Sequence, residues 1–287
     1  MRVAEGIHAL KIPFRLPAGP DNFLERFVYC YLVCGDTVCL IDSGVAGSQE
    51  IIFDYLASIG RKPEDISILV LTHSHPDHMG AAHAIREATA CTVAAHLSEK
   101  NWIEDIDLQF RERPVAGFET LVAAPVKVDR VLKDGDVLGL GGGFDMEVFH
   151  TPGHSRGSLS LFLRKQKVLF CADAVLLPGQ LPIYDDNEAC VRSVNKLKYM
   201  RGVEILLSSW DEPKRGPEVL RALDESLIFL RSIQRAVFEV INEYPTADLM
   251  AMCGQVVRIM GLPPAALNPL VARSLASSLE KKRPRGH

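Results

Sequence analysis

The sequence lacks any apolar run of the roughly 18 to 20 residues that a membrane-spanning helix requires. Its first residues, Met1 to Gly6, also lack the apolar stretch of a secretory signal peptide. Seven cysteines are present, but no two of them form a Cys-x-x-Cys pair. Because these features favour a cytoplasmic protein, we expect buried, reduced thiols rather than disulfide bonds or a cysteine-ligated metal cluster.

An excess of positive charge is also lacking. The chain has 32 Lys and Arg residues against 36 Asp and Glu residues, which gives a formal net charge of −4. A broad nucleic-acid interface would need a clustered excess of basic residues, so no nucleic-acid partner is expected. A basic cluster near the end of the chain, Lys281-Lys282-Arg283 followed by Pro284-Arg285, is typical of a solvated tail, although it could also be a localisation signal or contact an anion.

The sequence does contain enough apolar material for a large core. With 287 residues, of which 47% are hydrophobic, it can form one large α/β domain, alone or with an appendage. The first 215 residues alternate strand-like and helix-like segments, and Ile66 to Leu71 is a nearly continuous apolar run typical of a buried strand. Phe27 to Val33 and Thr37 to Ile41 flank the turn Gly35-Asp36 and predict a hairpin.

The pattern changes along the second half of the chain. Val131-Leu132 and Val137 to Leu140, on either side of Asp134-Gly135, are interpreted as a further strand pair, whereas residues 101–125 show no sustained period. From Pro217 onward the periodicity is helical. The predicted helices are Glu218 to Glu243, Asp248 to Met260 and Pro264 to Leu279. We therefore predict an α/β domain over residues 1–215 and a C-terminal helical region over residues 216–287.

Four candidate metal ligands directly follow the predicted buried strand: His73, His75, Asp77 and His78. Imidazole nitrogens and carboxylate oxygens suit zinc and related divalent ions. In an extended loop the first three would alternate in direction, and Pro76 would restrict the turn before the fourth. Such a loop can present ligands to two adjacent metal positions. A merely polar loop would explain one of these residues at most, so the pattern predicts a metal site.

One loop cannot close a metal site, so further ligands are expected where other strands end. His154 follows the turn Pro152-Gly153, and Asp173 follows the strand-like run Val168 to Cys171. Either residue alone would be weak evidence, because an isolated loop histidine is usually a surface residue. Their positions at strand ends make both of them candidates.

Taken together, these residues resemble the signature of the metallo-β-lactamase superfamily. That signature is similar to His73-x-His75-x-Asp77-His78, then Gly153-His154, then Asp173, and the early turn Asp42-Ser43-Gly44 is similar to the family's Asp-x-Gly. The resemblance extends over about residues 3 to 215 and implies an αββα sandwich with metal ions at one edge. It says less about the substrate, because that fold serves many chemistries.

The resemblance also implies a role for each residue. His73, His75 and His154 would bind the first metal ion, Asp77 and His78 would bind the second, and Asp173 would bridge the two. Two divalent ions, zinc first with iron or manganese as alternatives, would activate a water molecule for attack on a carbonyl or phosphoryl centre. Asp77 would also orient that water or accept its proton, which makes Asp77 the predicted catalytic residue. Asp42 would brace the loop rather than bind metal.

The chain departs from the family pattern at its last ligand. A late histidine should stand near Ser208 to Pro213, but Trp210 occupies the matching position, and an indole cannot be a ligand. Three interpretations are open. In the first, the second ion is held by the remaining ligands, with no side chain in place of the histidine. In the second, Asp211 or Glu212 replaces the histidine, which would favour iron or manganese. In the third, the second metal position is weak and the enzyme is mononuclear.

The resemblance favours a metal-dependent hydrolase whose small-molecule substrate is an acyl compound, a thioester or a lactone. A β-lactam is disfavoured, because secreted resistance enzymes carry a signal peptide. The C-terminal helices are similar to those of glyoxalase II-like thioesterases, and Tyr184 is either an oxyanion donor or a structural residue. A homodimer formed through the apolar faces of those helices is a further hypothesis.

Two other functional classes stay open. A single iron bound by His73, His154 and Asp173 would make the chain similar to the superfamily's persulfide-oxidising dioxygenases. The retention of the other three loop ligands argues for the two-metal hydrolase instead. The second alternative is a non-catalytic binding protein with a degenerate metal site, which the retention of six ligands disfavours.

Overall fold

The computed structural model describes residues 1–19 and 22–279, and the basic cluster Lys281-Lys282-Arg283 lies outside the described residues. The chain divides into two compact units. Unit 1 contains residues 1–150, 157–172 and 202–213, and unit 2 contains residues 151–156, 173–201 and 214 to the end of the described chain. The division of the chain into domains at residue 216 stays a prediction.

The first sheet of unit 1 has seven strands that follow one another in chain order. They are β1 (Arg2–Ala4), β2 (Ile7–Gly19), β3 (Asn22–Cys34), β4 (Val38–Ile41), β5 (Ile66–Val70), β6 (Thr92–His96) and β7 (Arg130–Leu132). β1 to β4 pair antiparallel, which confirms the predicted hairpin at Gly35-Asp36. β4 to β7 pair in parallel. Because parallel strands end at the same edge, the segments after β5 and β6 leave the sheet side by side.

A second sheet contributes five strands to unit 1, in the order β12-β11-β10-β9-β8. They are β8 (Val137–Gly139), β9 (Asp145–His150), β10 (Leu159–Leu163), β11 (Val168–Ala172) and β12 (Ile205–Ser208). The predicted strand pair across Asp134-Gly135 is wrong, because β7 pairs with β6 and β8 pairs with β9. The turn between β7 and β8, where the Lys133 N–H donates to Asp136 Oδ2 at 2.9 Å, instead connects the two sheets. Two short apolar runs around a turn do not reveal which sheet each of them joins.

The inner strands of the first sheet are buried on both faces, unlike the edge strands β1 and β7. In β3, Val28, Cys30 and Leu32 belong to a core cluster shared with helices, and the alternate residues Tyr29 and Tyr31 belong to a cluster shared with the second sheet. This double burial explains why the strands have nearly continuous apolar sequences. The helices of unit 1 are α1 (Ser48–Ser58), α2 (Pro76–Met79), α3 (Ala82–Thr89), α4 (Lys100–Glu104), α5 (Ile106–Glu112) and α6 (Phe118–Leu121). α4, α5 and α6 are too short to show a sustained helical period, which explains the irregular pattern of residues 101–125.

Unit 2 is mainly helical. It contains α7 (Asn187–Lys198), the short strand β13 (Lys214–Arg215), α8 (Pro217–Glu243), α9 (Leu249–Met260) and α10 (Pro269–Ser277). The prediction of three C-terminal helices is confirmed, but the last one begins at Pro269 rather than at Pro264. Its N-cap is Asn268, whose side chain accepts from the Val271 N–H, and a separate 3₁₀ turn covers Pro264–Ala266. The predicted α/β class, with C-terminal helices, is therefore confirmed.

No disulfide bond joins any of the seven cysteines, and all of them except Cys34 are buried, as expected. Burial raises the pKa of thiols such as Cys30 and Cys39, which keeps them neutral. Within residues 1–19 and 22–279, no helix has both the length and the apolar character needed to cross a membrane.

Candidate metal centre

The four ligand candidates of the predicted loop follow β5 in unit 1. His75 is the N-cap residue of α2 and Pro76 is its first residue, so Asp77 and His78 lie on this short helix. The relative solvent exposure is 0% for His73, 4% for His75 and 0% for His78. The side chain of Asp77 is 17% exposed. The loop thus buries its three imidazoles and leaves one carboxylate accessible.

The His73 imidazole contacts those of His75 and His78. The ring centroids of His73 and His75 are 4.5 Å apart, and those of His73 and His78 are 4.0 Å apart. One potential ligand atom of His73 lies within 4.8 Å of one in His75, and within the same distance of one in His78. Three charged imidazoles this close together would repel strongly in a buried environment. Neutral imidazoles that bind metal cations fit this arrangement.

Asp42, which follows β4, holds this loop. Its side chain is almost fully buried, and its backbone is in the left-handed region with φ +59°. Asp42 Oδ1 accepts a hydrogen bond from the Thr72 N–H at 2.8 Å, and Oδ2 accepts one from the Thr72 hydroxyl at 2.8 Å. His78 Nδ1 lies 2.8 Å from the same Oδ2. The prediction that Asp42 braces the loop is confirmed.

These hydrogen bonds assign the ring tautomers. A carboxylate only accepts hydrogen bonds, so His78 Nδ1 donates to Asp42 and His78 Nε2 keeps its lone pair. The Thr72 hydroxyl donates to Asp42, so it accepts from His73 Nδ1 at 3.1 Å. A metal-binding histidine has this arrangement, in which one ring nitrogen donates to a fixed acceptor and the other is left for the ion.

The turn Asp42-Ser43-Gly44 is also joined to the end of α2. The Ser43 N–H and hydroxyl both donate to His78 O, at 2.7 and 2.9 Å. The Gly80 N–H donates to Gly44 O at 2.8 Å. A Cβ at position 80 would lie 2.0 Å from Leu121 O, so only glycine allows this close approach. The early turn and the histidine loop therefore form one hydrogen-bonded structure.

A second buried carboxylate in unit 1, Glu99, was not among the predicted site residues. It ends the 3₁₀ turn Leu97–Glu99 after β6 and is 3% exposed. Its Oε2 accepts from the Ser74 N–H at 3.0 Å and from the Ser74 hydroxyl at 2.5 Å. Its Oε1 accepts from the Gly157 N–H at 2.5 Å. In the sequence, Glu99 stands in a short polar run, and nothing there separates it from a surface carboxylate.

In unit 2, the turn of residues 151–156 carries His154. This residue is buried, and its Nδ1 lies 2.8 Å from Ile183 O. Because a carbonyl only accepts, Nδ1 is the donor, and in the neutral ring Nε2 then carries the lone pair. His154 Nε2 lies 3.3 Å from Asp173 Oδ2, and Asp173 is also buried. The two candidates that belong to unit 2 are therefore neighbours.

The turn before His154 depends on Gly153. Its φ is +138°, and a Cβ there would lie 2.3 Å from the backbone nitrogen of Cys190 in α7. Its carbonyl accepts from the N–H groups of Asp185 and Asp186, at 2.8 and 3.0 Å. Only glycine lets the turn approach α7 this closely. The position of His154 within unit 2 therefore depends on the absence of a side chain at position 153.

Asp173 follows a distorted strand end. The last residue of β11, Ala172, has φ +44°, and the register with β12 shifts at this point. An alanine in the left-handed region carries a strain of about 1–2 kcal/mol. Non-glycine residues in this region cluster at functional sites, where surrounding contacts maintain the strain. The strand thus ends in a strained residue directly before a candidate ligand.

The position predicted for a late histidine holds a packed aromatic residue. Within unit 1, the Trp210 ring centroid is 6.3 Å from that of Phe14 and 6.5 Å from that of Phe27. The guanidinium carbon of Arg26 lies 4.7 Å from the Trp210 ring centroid. Aromatic packing and a cation–π contact thus hold the indole against β2 and β3.

The acidic residues next to Trp210 have partners in unit 1. Glu212 Oε1 accepts from the Tyr29 hydroxyl at 2.7 Å and lies 3.4 Å from Lys11 Nζ. The Tyr29 hydrogen bond lowers the pKa of Glu212, and burial together with this bond raises the pKa of Tyr29. Asp211 Oδ1 accepts from the Glu212 N–H at 2.8 Å. The contacts of Glu212 do not favour its role as a replacement ligand.

Three other polar residues have side chains that are buried or packed against another ring. Tyr184 of unit 2 is buried, burial raises its pKa, and its backbone N–H donates to Ser274 Oγ at 2.9 Å. In unit 1, the rings of His96 and His150 stack with centroids 4.2 Å apart. Burial is the main cause that lowers the pKa of His96, and the neighbouring His150 lowers it further.

Comparison with known proteins adds to this geometry. A family model described as the metallo-beta-lactamase superfamily matches residues 24–209. The chain is 33% identical over 166 residues to the probable metallo-hydrolase YqgX of Bacillus subtilis. This match covers 58% of this chain and 72% of that protein. It is 36% identical over 115 residues to the acyl-coenzyme A thioesterase MBLAC2 of Gallus gallus. That match covers 38% of this chain and only 41% of the thioesterase.

A solved structure shows the same fold. The metallo-beta-lactamase family protein TTHA1429 from Thermus thermophilus superposes with a TM-score of 0.73 at 20% sequence identity. The superposition covers 97% of this chain and 92% of that chain. At this identity the likeness supports the fold alone.

Proposed function

Because this chain belongs to the metallo-β-lactamase superfamily and is a hydrolase of that family, we propose that it hydrolyses an acyl thioester. The observation that carries the proposal is the set of three buried, adjoining imidazoles of His73, His75 and His78. Two of them have their Nδ1 atoms fixed, by Thr72 and Asp42. The similarity to an acyl-coenzyme A thioesterase supports a thioester rather than a lactone.

We propose the following ligands for two divalent metal ions. His73, His75 and His154 would hold the first ion, Asp77 and His78 would hold the second, and Asp173 would bridge the two. Three imidazoles at the first position, and one imidazole with two carboxylates at the second, are donor sets that zinc accepts. Iron and manganese are alternatives. Trp210 supplies no ligand, so the second ion would be the more weakly held of the two.

The chemistry that the donor set fits is hydrolysis by an activated water. Bound divalent ions would lower the pKa of a water molecule and so supply a nucleophile near neutral pH. Asp77 is partly exposed and its Oδ2 lies 3.5 Å from His78 Nε2, so it is the carboxylate best able to accept the proton of that water. The water oxygen bonds to the acyl carbon, the C–S bond breaks, and the thiolate takes up the proton that Asp77 accepted.

The first test is the metal content per chain of protein purified without added metal or chelator. We expect close to two ions, zinc or manganese, in the wild type, with less metal in Asp77→Ala and in His154→Ala. Asp54→Ala is the matched control, because Asp54 is an exposed residue of α1. A wild type without any divalent metal would contradict the proposal and would leave the degenerate binding protein.

The same measurement separates the hydrolase from the iron-dependent alternative. A single iron that is lost in His154→Ala and kept in Asp77→Ala would favour a persulfide dioxygenase, to be checked by oxygen uptake. With the two-metal result, initial rates on acyl-coenzyme A, S-acylglutathione and a lactone of the same acyl group identify the substrate class. Faster hydrolysis of the lactone would replace the thioester in this proposal.

Partners and location are proposed on sequence grounds. The net charge of −4 supports a small-molecule substrate and no nucleic-acid or membrane partner. We also propose a cytoplasmic location. The homodimer stays a prediction, and some apolar side chains of α8 are exposed, among them Leu220 and Ile228. A clean monomer in light scattering would end that hypothesis.

A further inference from the structure

We propose that Glu99 is a positioning residue for the first metal position. The proposal rests on the proposed function, because it concerns the same metal centre. Glu99 contributes no ligand in the set proposed above. Its carboxylate instead fixes the backbone beside residues that do, through hydrogen bonds from Ser74 and Gly157. The first of these partners lies 25 residues from Glu99 in the chain and the second lies 58 residues away.

The burial of Glu99 requires these bonds. A carboxylate that is 3% exposed loses nearly all of its hydration, which is costly unless donors replace the water. Each carboxylate oxygen has at least one donor within 3.0 Å: the Ser74 N–H and hydroxyl at Oε2, and the Gly157 N–H at Oε1. Charge-assisted bonds of this kind are shorter and stronger than neutral ones. The surrounding donors therefore hold the carboxylate in place.

The partner Ser74 stands between two proposed ligands, His73 and His75. Its N–H and hydroxyl donate to Glu99, and its carbonyl accepts from the Gln109 side chain on α5. The backbone between the two histidines is thus held from its N–H side and from its carbonyl side. A shift of Ser74 would move both imidazoles together, so Glu99 acts on the geometry of the ligand pair.

The partner Gly157 is three residues after His154 in the chain. A Cβ at position 157 would lie 2.7 Å from Glu99 Cγ and 2.8 Å from His96 Nδ1. Glycine at this position therefore lets the backbone N–H reach the Glu99 carboxylate. Of the three residues proposed for the first metal, two adjoin Ser74 and the third is close in sequence to Gly157. Glu99 should therefore affect the first position more than the second.

The substitution Glu99→Gln tests the charge while it keeps the side-chain length. A glutamine has one accepting oxygen, and its NH₂ group must face a donor of either Ser74 or Gly157. We expect zinc affinity at the first position to fall by about 10- to 100-fold, the range typical of partners that orient metal ligands. With cobalt in place of zinc, the visible absorption bands of the ion should shift, because the ligand geometry changes. Glu99→Asp keeps the charge and should restore part of the affinity.

The matched control is Glu104→Gln. Glu104 is a second glutamate of unit 1, and its Oε1 accepts from the Val128 N–H at 2.8 Å, away from the histidine loop. A general effect of losing a backbone-bound carboxylate would appear in both variants. If Glu99→Gln binds zinc as tightly as Glu104→Gln does, with an unchanged cobalt spectrum, the proposal is wrong.

Hydrogen exchange separates this proposal from the function on which it rests. In metal-free protein, Glu99→Gln should speed amide exchange in peptides covering residues 72–78 and 155–160, and leave residues 90–95 unchanged. If the wild type binds no zinc, the proposed function fails, and this exchange measurement still decides whether Glu99 fixes the two segments. Unchanged exchange in both segments would overturn the positioning role in either case.

Discussion

The two segments that carry the candidate ligands are held by different kinds of acceptor. In unit 1, His78 Nδ1 donates to the carboxylate of Asp42, and the Ser74 N–H donates to the carboxylate of Glu99. In unit 2, His154 Nδ1 donates to a backbone carbonyl, that of Ile183. A single substitution removes a carboxylate, whereas no substitution removes a backbone carbonyl. The histidine loop therefore depends on two distant side chains, and the turn around His154 depends on its own backbone conformation.

This difference determines what each segment should respond to. Hydrogen bonds to charged groups contribute about 1.5–3 kcal/mol, compared with about 1 kcal/mol for neutral pairs. A carboxylate partner also raises the basicity of the imidazole that it orients. The loop of unit 1 should therefore be sensitive to the removal of charge. The turn of unit 2 should be sensitive to added volume at Gly153, where the backbone approaches α7 closely.

The largest effect is expected from removing a ligand itself. His73→Ala should lower the hydrolysis rate by about 10³-fold, because transition-state stabilisation by metal ions amounts to several kcal/mol. His154→Ala should cause a loss of similar size, because both residues are proposed ligands of the first ion. The measurement is kcat/KM with the best thioester, with His83→Ala as the control. Equal losses in His73→Ala and His83→Ala would refute the ligand assignment.

The charge dependence of the histidine loop is tested by Asp42→Asn. We expect zinc affinity to fall by about 10- to 100-fold, because His78 loses its charged acceptor. The free energy of unfolding should also fall, by about 2–3 kcal/mol, because Asp42 accepts from Thr72 as well. Zinc titration and urea unfolding measure the two effects.

The control for that variant is Asp129→Asn. In the same unit, Asp129 Oδ2 accepts from the Val93 N–H at 3.1 Å and Oδ1 accepts from the Arg86 guanidinium at 3.0 Å. Neither partner belongs to the histidine loop, so this variant should lose stability without a change in zinc affinity. An equal loss of affinity in both variants would mean that Asp42 has no specific role at the loop.

The dependence of the second segment on volume is tested by Gly153→Ala. The added methyl group would lie 2.3 Å from the Cys190 backbone nitrogen, so we expect a loss of about 2–3 kcal/mol in the free energy of unfolding. The matched control is Gly179→Ala, also at positive φ, where a Cβ would have no atom within 4 Å. The control should lose only about 1 kcal/mol, from backbone strain. Equal losses would show that contact with α7 is unimportant.

The smallest effect concerns a histidine of unit 1 that is not a proposed ligand. The pKa of His96 is lowered mainly by burial and further by His150, while Glu99 opposes the shift. The folded state then binds fewer protons than the unfolded state just below the usual pKa of about 6.5. This contribution to stability is therefore complete above that pH and is lost as the pH falls through the lowered pKa.

His96→Gln should accordingly reduce the loss of stability on acidification. Urea unfolding between about pH 7.5 and about pH 5 compares the variant with the wild type and with His83→Gln. The slope of the free energy of unfolding against pH should be smaller in His96→Gln alone. A slope equal to that of the wild type would show that this histidine titrates alike in both states.

The sequence predicted the parts of the fold that local periodicity controls. The hairpin at Gly35-Asp36, the buried strand before the histidine loop and the C-terminal helices are present, since each has its own apolar pattern. The strand pair across Asp134-Gly135 was wrong, because the two flanks join different sheets. Glu99 was missed, because its burial results from partners 25 and 58 residues away.

The sequence by itself determined the donor atoms of the candidate centre, since histidine and aspartate supply metal ligands wherever they stand. It also determined that several of them follow a buried strand. For His73, His78 and His154, the tertiary structure decided which ring nitrogen is available to a metal, because that depends on the acceptor at the other ring nitrogen, such as Asp42 for His78. It also decided that Glu99 is buried beside Ser74, because folding brings chain segments together that share no local pattern.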